Sequence, residues 1–142
     1  MDKNGYSREE MERKASELLE KTAIITLASV TEEGFPRPCA LVKIAAEGIH
    51  KLYVATGTSS KKTAHFRLQP KAGVCFFNDK DGVTLLGTIR ILNDKEKTTY
   101  WQDWMIDHFP LGQADPDFCV LELTTAEATL WIDGQFETYR YE

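Results

Sequence analysis

The densest group of chemistry-bearing residues is Thr56-Gly57-Thr58-Ser59-Ser60-Lys61-Lys62-Thr63. It follows an apolar, strand-like segment and opens a helix-like one. Free amides at a helix start, the helix dipole, several hydroxyls and two adjacent ammonium groups together suit a compact anion such as a phosphate monoester. Gly57 would let the backbone approach it. The run is not a Walker motif, whose glycine-to-Gly-Lys-Ser/Thr spacing is missing. A capped helix with solvated lysines explains the same residues and stands beside the anion reading.

Arg37-Pro38-Cys39-Ala40-Leu41-Val42 is the second group. Alternation places Arg37, Cys39 and Leu41 on one face and Ala40 and Val42 on the other. An arginine entering a strand can grip a phosphate bidentately, or simply lie on the surface beside a turn. The small side chains of Cys39 and Ala40 leave room for a flat ring against the strand backbone.

Trp101, Trp104, Phe109 and Trp131 form the third group, with Trp101 and Trp104 spaced for one helical face. Core packing or a dimer contact accounts for them more simply than stacking on a ligand. His50, His65 and His108 are far apart, with no carboxylate at a metal-binding spacing, so no metal is expected. There is no Gly-x-Ser-x-Gly nucleophile turn. Cys39, Cys75 and Cys119 fit neither a disulfide framework nor a zinc site and read as buried thiols.

The elements that must position these residues follow from periodicity. Ser7-Arg8-Glu9-Glu10 has the form of a capping box, and Met11, Ala15, Leu18 and Leu19 continue a helical stripe to about Lys21. Strands are expected over residues 23–30, 38–44, 52–55, 73–77, 83–92, 118–123, 129–132 and 135–141. Helices are expected over 60–69, ended by Pro70, and from Asn93 or Asp94 to about Ile106. Asp133-Gly134 is a two-residue hairpin signal. Short strands joined by tight turns favour an antiparallel barrel with flanking helices over a parallel sheet.

At 142 residues the chain fits a single domain, residues 1–142. A net charge of -5 argues against nucleic acid as the main partner. The polar segment 1–20 lacks the apolar core of a signal peptide, and no apolar run is long enough to span a bilayer. A cytoplasmic protein with no membrane partner is expected.

In this order, the motifs resemble the pyridoxamine 5'-phosphate oxidase-like superfamily of FMN-binding split barrels. The similarity runs over residues 23–92: the Arg37 strand, a short strand ending at Thr56, the Ser60-Lys61-Lys62 helix start, Pro70 and two further strands. The later residues Trp101, Trp104, Phe109-Pro110, Gly112, Asp115-Pro116-Asp117 and Trp131 are similar to the general-stress-protein branch. Three departures bear on activity. Val42 stands where the oxidase strand ends in lysine, and Lys43 falls on the opposite face. Gly82 replaces a glutamine offered to the flavin. The arginine-rich substrate-gripping segment is absent from Thr138-Tyr139-Arg140-Tyr141-Glu142. Flavin binding survives these losses more easily than pyridoxamine-phosphate oxidation does.

The resemblance implies an α+β fold, mainly β: an antiparallel Greek-key split barrel with short flanking helices. It implies a homodimer with flavin in clefts at the interface. Arg37, Lys61 and Lys62 would neutralise the phosphate of FMN, and Thr56 and Ser60 would donate hydrogen bonds to it. The backbone of Cys39, Ala40, Leu41 and Val42, after Pro38, would face the ring. One compact anion site favours FMN over FAD. The implied activity is a flavin-dependent oxidoreductase acting on a small molecule with an electron donor. The alternatives are a flavin-binding stress protein without turnover, and a relative holding haem, with a lone histidine such as His65 as ligand, or deazaflavin.

Overall fold

The computed structural model describes residues 5–141; readings that touch residues 1–4 and Glu142 lie outside the described residues. The chain starts with α1 (Arg8–Glu20). Ser7 Oγ accepts from Glu10 N at 3.1 Å, and Ser7 N donates to Glu10 Oε1 at 3.0 Å, so the capping box forms. Met11, Ala15, Leu18 and Leu19 are all buried, and they join the main core.

The strands are β1 (Ile24–Val30), β2 (Pro36–Glu47), β3 (Lys51–Gly57), β4 (Lys71–Phe77), β5 (Gly82–Ile91), β6 (Phe118–Ile132) and β7 (Gln135–Arg140). Helix α2 (Lys61–Leu68) carries the chain from β3 to β4, and α3 (Asp94–Lys97) follows β5. The sheet order is β3-β2-β1-β4-β5-β6-β7, every pairing is antiparallel, and β3 also pairs with β6. Six strands therefore close into a barrel and β7 lies outside against β6. Closure removes most open sheet edges. The interior is filled by alternate residues such as Ile25, Leu27, Val54, Val74, Leu85, Leu121 and Leu123.

The barrel is split on one side. β2 and β3 pair only from Lys43↔Val54 to Glu47↔Lys51, with a bulge between Lys43 and Ala45. Beyond that point, Pro36 to Val42 pair only with β1, and Ala55 to Gly57 only with β6. The two strands diverge and leave a gap between them.

Two element expectations are corrected. Residues 118–123 and 129–132 belong to one strand, β6, rather than two. Thr125, between the two expected strands, is buried and its hydroxyl donates to Ile49 O at 2.6 Å. The strand stays continuous because it must serve β3, β5 and β7. A bulge against β5 at Leu86/Gly87 absorbs the irregularity, and a Cβ on Gly87 would stand 2.2 Å from Thr124 O.

The helix expected to run from residue 93 to 106 is also broken. Asn93 caps α3 through Glu96, but the helix stops at Lys97. Two 3-10 turns follow, Thr98–Tyr100 and Asp103–Asp107, with Trp101 and Gln102 extended between them. Tertiary contacts override the helical spacing. Lys97 Nζ turns inward to donate to Phe118 O at 2.8 Å, and Trp101 packs edge-on against Phe118 at 5.1 Å. The segment builds a second core of Tyr53, Leu92, Met105, Phe109, Phe118 and Val120 over the outside of β3 and β6.

Turn chemistry follows the sequence closely. Asp133 (φ 48°) and Gly134 (φ 81°) both adopt left-handed conformations, as a type I′ hairpin requires. Of the three free cysteines only Cys119 is buried, and burial pushes its thiol pKa up. Cys39 and Cys75 are half-buried, because both lie on strands whose faces are incompletely covered.

Candidate functional site at the split of the barrel

The divergence of β2 from β3 opens a cleft of about 380 Å³. Ala40, Leu41 and Val42 form one wall and Ala55, Thr56 and Gly57 another, with Trp104, His108, Phe109 and Asp117 completing it. Of the residues expected at a site, Ala40, Leu41, Val42 and Thr56 line this cleft. Arg37, Pro38, Cys39, Ser60, Lys61 and Lys62 do not; they sit at the starts of β2 and α2. The alternation expected for β2 holds: Arg37, Cys39 and Leu41 are half-buried, while Pro38, Ala40 and Val42 are exposed.

At the start of α2, Ser60 is the N-cap and its Oγ accepts from Thr63 N at 3.3 Å. Thr56 Oγ1 donates to Ser60 Oγ at 3.3 Å, and Thr63 Oγ1 donates to Gly57 O at 2.8 Å. Ser60 and Thr63 hydroxyls lie 2.8 Å apart. Since Thr63 gives its proton to Gly57 O, Ser60 gives its own to Thr63. The Thr56 and Ser60 protons are thus already used in this chain, and donation to a ligand would require an exchange.

Asp117 takes up the loop before the helix. Its Oδ1 accepts from Ser59 N at 3.0 Å and Ser59 Oγ at 2.9 Å, and its carbonyl accepts from Thr58 N at 2.8 Å. The anion-binding capacity of the loop therefore contracts to the first helical turn, where the Lys61 and Lys62 amides have no intrahelical acceptor. Among the described residues neither lysine side chain has an ion-pair partner.

Arg37 sits opposite Ser29 in the β1–β2 ladder. Ser29 is buried and bonded to His65 Nδ1 at 2.8 Å, which ties β1 to α2. Arg37 Nη1 is buried and has no hydrogen-bond partner among the described residues. A buried donor on a cation is costly to leave unpaired, so this atom is suited to an anionic ligand. Arg37 on the β1–β2 ladder and Lys61 and Lys62 at the start of α2 supply positive charge, and the cleft beside Thr56 is largely apolar.

Lys43 is withdrawn from the site. Its ammonium donates to Leu19 O at the end of α1, and burial lowers its pKa. The two tryptophans thought to share a helical face do not, because the extended Trp101–Gln102 step separates them. Trp101 packs into the second core, whereas Trp104 reaches the cleft. His108 and Asp117 are cleft residues that sequence reasoning did not single out as ligand groups. Asp117 carried a signal as part of the Asp115-Pro116-Asp117 motif, and His108 only as one of three scattered histidines.

A closed six-strand antiparallel barrel, split at β2/β3 and flanked by three helices, defines the split-barrel class of α+β proteins. The family model for pyridoxamine 5'-phosphate oxidase matches residues 11–132. Among solved structures, a Clostridium acetobutylicum protein related to general stress protein 26 of B. subtilis superposes with a TM-score of 0.85. It is 27% identical, over 94% of this chain and 96% of that one. General stress protein 26 from Bacillus anthracis gives 0.77 at 21% identity, over 92% and 98%. A heme binding protein from Mycobacterium smegmatis gives 0.74 at 17% identity, over 95% of this chain and 60% of that one. No curated protein matches the sequence. The chain belongs to the pyridoxamine 5'-phosphate oxidase family, in its general-stress-protein branch. Among the described residues no helix is long and apolar enough to cross a membrane.

Proposed function

We propose that this chain binds FMN at the split of the barrel and serves as a flavin-dependent oxidoreductase for a small molecule in the cytoplasm. The observation that carries the reading is Arg37 Nη1, a buried cationic donor with no hydrogen-bond partner among the described residues; Arg37 pairs across the ladder with Ser29, which His65 ties to α2, the helix that Lys61 and Lys62 open. A phosphate monoester would satisfy all three. When bound, the flavin supplies hydride or electron transfer, and the protein orients it. Arg37, Lys61 and Lys62 hold the phosphate; Leu41, Val42 and Phe109 exclude water from the ring. No nucleic acid or metal is required.

A second copy of the chain would cover the outer face of the barrel. An apolar groove of about 500 Å³ runs there over Ala28, Val30, Pro36, Gly73, Leu86 and Gly87. Exposed Leu86 lines it, and exposed Phe77, Trp131 and Phe136 lie further along β4, β6 and β7. Apolar exposure of this extent is the mark of a surface that is covered in use.

One observation favours a second reading, haem binding. His65 Nδ1 is held by Ser29, but the imidazole of His108 has no hydrogen-bond partner among the described residues and lines an apolar cleft, where it could ligate iron.

The test is the visible spectrum of the purified protein after addition of FMN and desalting, with released ligand identified by mass. Retained flavin absorbance that NAD(P)H bleaches supports the oxidoreductase. Retained absorbance inert to every donor leaves a binding protein without turnover. Failure to bind FMN, with a Soret band on haem addition, replaces the flavin reading by the haem one.

A further inference from the structure

The bulge in β2 creates an opening for a side chain from far along the sequence. Ile44 is the extra residue between Lys43 and Ala45, and its carbonyl accepts from Gln102 Nε2 at 3.0 Å. The other end of the same amide, Gln102 Oε1, accepts from Trp104 Nε1 at 2.6 Å. An indole N–H only donates and a carbonyl only accepts, so one orientation of the amide satisfies both neighbours. Gln102 thereby pins the 3-10 turn carrying Trp104 and His108 to the strand on the opposite side of the split.

Trp104 in turn meets His108 edge-on, with ring centroids 5.9 Å apart and planes at 84°. Both rings line the cleft, beside Phe109 and facing Leu41 and Val42. Among the described residues the His108 imidazole has no hydrogen-bond partner. The other polar side chains of the cleft are engaged: Thr56 with Ser60, and Asp117 with Ser59. Among the described residues lining the cleft, His108 is thus the one uncommitted side chain able both to donate and to accept.

We propose that His108 recognises the polar edge of the flat heterocycle bound in this cleft, with Gln102 and Trp104 as its positioning residues. The inference rests on the flavin reading. A flavin ring has an apolar benzenoid end, suited to Leu41, Val42 and Phe109. Its other end alternates carbonyl oxygens and an N–H, which imidazole can meet in either sense. Arg37, Lys61 and Lys62 set affinity through the phosphate; His108 sets which ring is accepted.

The experiment titrates FMN, followed by flavin fluorescence, against wild type and the variants H108L, H108Q and Q102A, and records the absorption band of each complex. His108 is exposed, so its replacement leaves the fold intact. H108L should weaken FMN by about tenfold, the worth of one net hydrogen bond at the strong end of the usual range, and shift the band. H108Q, which keeps a donor and an acceptor, should restore most of both. Q102A should shift the band in the direction of H108L with a smaller loss of affinity. K62E is the control: it should weaken FMN with the band unmoved. Wild-type binding with H108L unchanged in affinity and spectrum overturns this inference alone. A wild-type chain that binds no FMN overturns the flavin reading and this one together.

Discussion

Arg37 is kept in a position that costs the unliganded chain stability. Its Nη1 is buried without a partner among the described residues, while Cys39 and Leu41, on the same face of β2, are half-buried. Replacing it with methionine removes the orphan donor and keeps the volume. R37M should therefore raise the stability of the ligand-free protein by about 1 kcal/mol, or roughly 2–4 °C in Tm, while weakening FMN. Thermal unfolding with and without FMN measures both signs in one experiment. An R37M protein less stable than wild type would make Arg37 a structural residue. Lys62 differs, because its ammonium has no ion-pair partner among the described residues and the helix is capped by Ser60 instead. K62E should cost about tenfold to a hundredfold in FMN affinity with unchanged Tm, read by the same titration.

At the scale of elements, β6 decides most. It pairs with three strands, and the carbonyl of Thr124 comes so close to Gly87 that no Cβ fits between them. G87A should destabilise the protein by about 2–3 kcal/mol, since the backbone of two paired strands must separate. Urea unfolding tests this, and a loss below half a kilocalorie would mean that the bulge relaxes freely. The outside of the same strand carries buried Glu122, which accepts from the Tyr53 hydroxyl at 2.9 Å and from Arg90 Nε at 3.2 Å. Burial, then hydrogen bonding to Tyr100 and Glu122, raises the Tyr53 pKa. Tyr53 also stacks on Tyr100 at 4.3 Å, so this polar network and the second core fasten the 3-10 segment to the barrel. The position of Trp104 and His108 at the cleft is a consequence of that attachment.

For the whole molecule, the barrel closes on itself but leaves one outer face apolar. If two copies meet there, Leu86, which borders the groove and is 47% exposed, lies in the contact. L86D should leave the fold intact and convert dimer to monomer in sedimentation. A monomeric wild type would remove the dimer from the proposal and leave the cleft as a site within one chain.

The sequence by itself determined what depends on near neighbours. The α1 capping box, the left-handed Asp133-Gly134 turn, the alternation along β2 and the cap at Ser60 are governed by contacts a few residues apart. Local chemistry therefore makes them legible, and the order of motifs carried the family. Tertiary structure alone decided what depends on distant partners. It joined residues 118–132 into one strand because three others pair with it. It broke the helix after Lys97 because Lys97 and Trp101 are drawn to Phe118. It spent the Thr58 and Ser59 amides on Asp117, and brought Gln102 to Ile44 across 58 residues of sequence. Periodicity describes how a segment faces its surroundings, but not which distant carbonyl or ring it will meet. The wall of the cleft was set by those meetings.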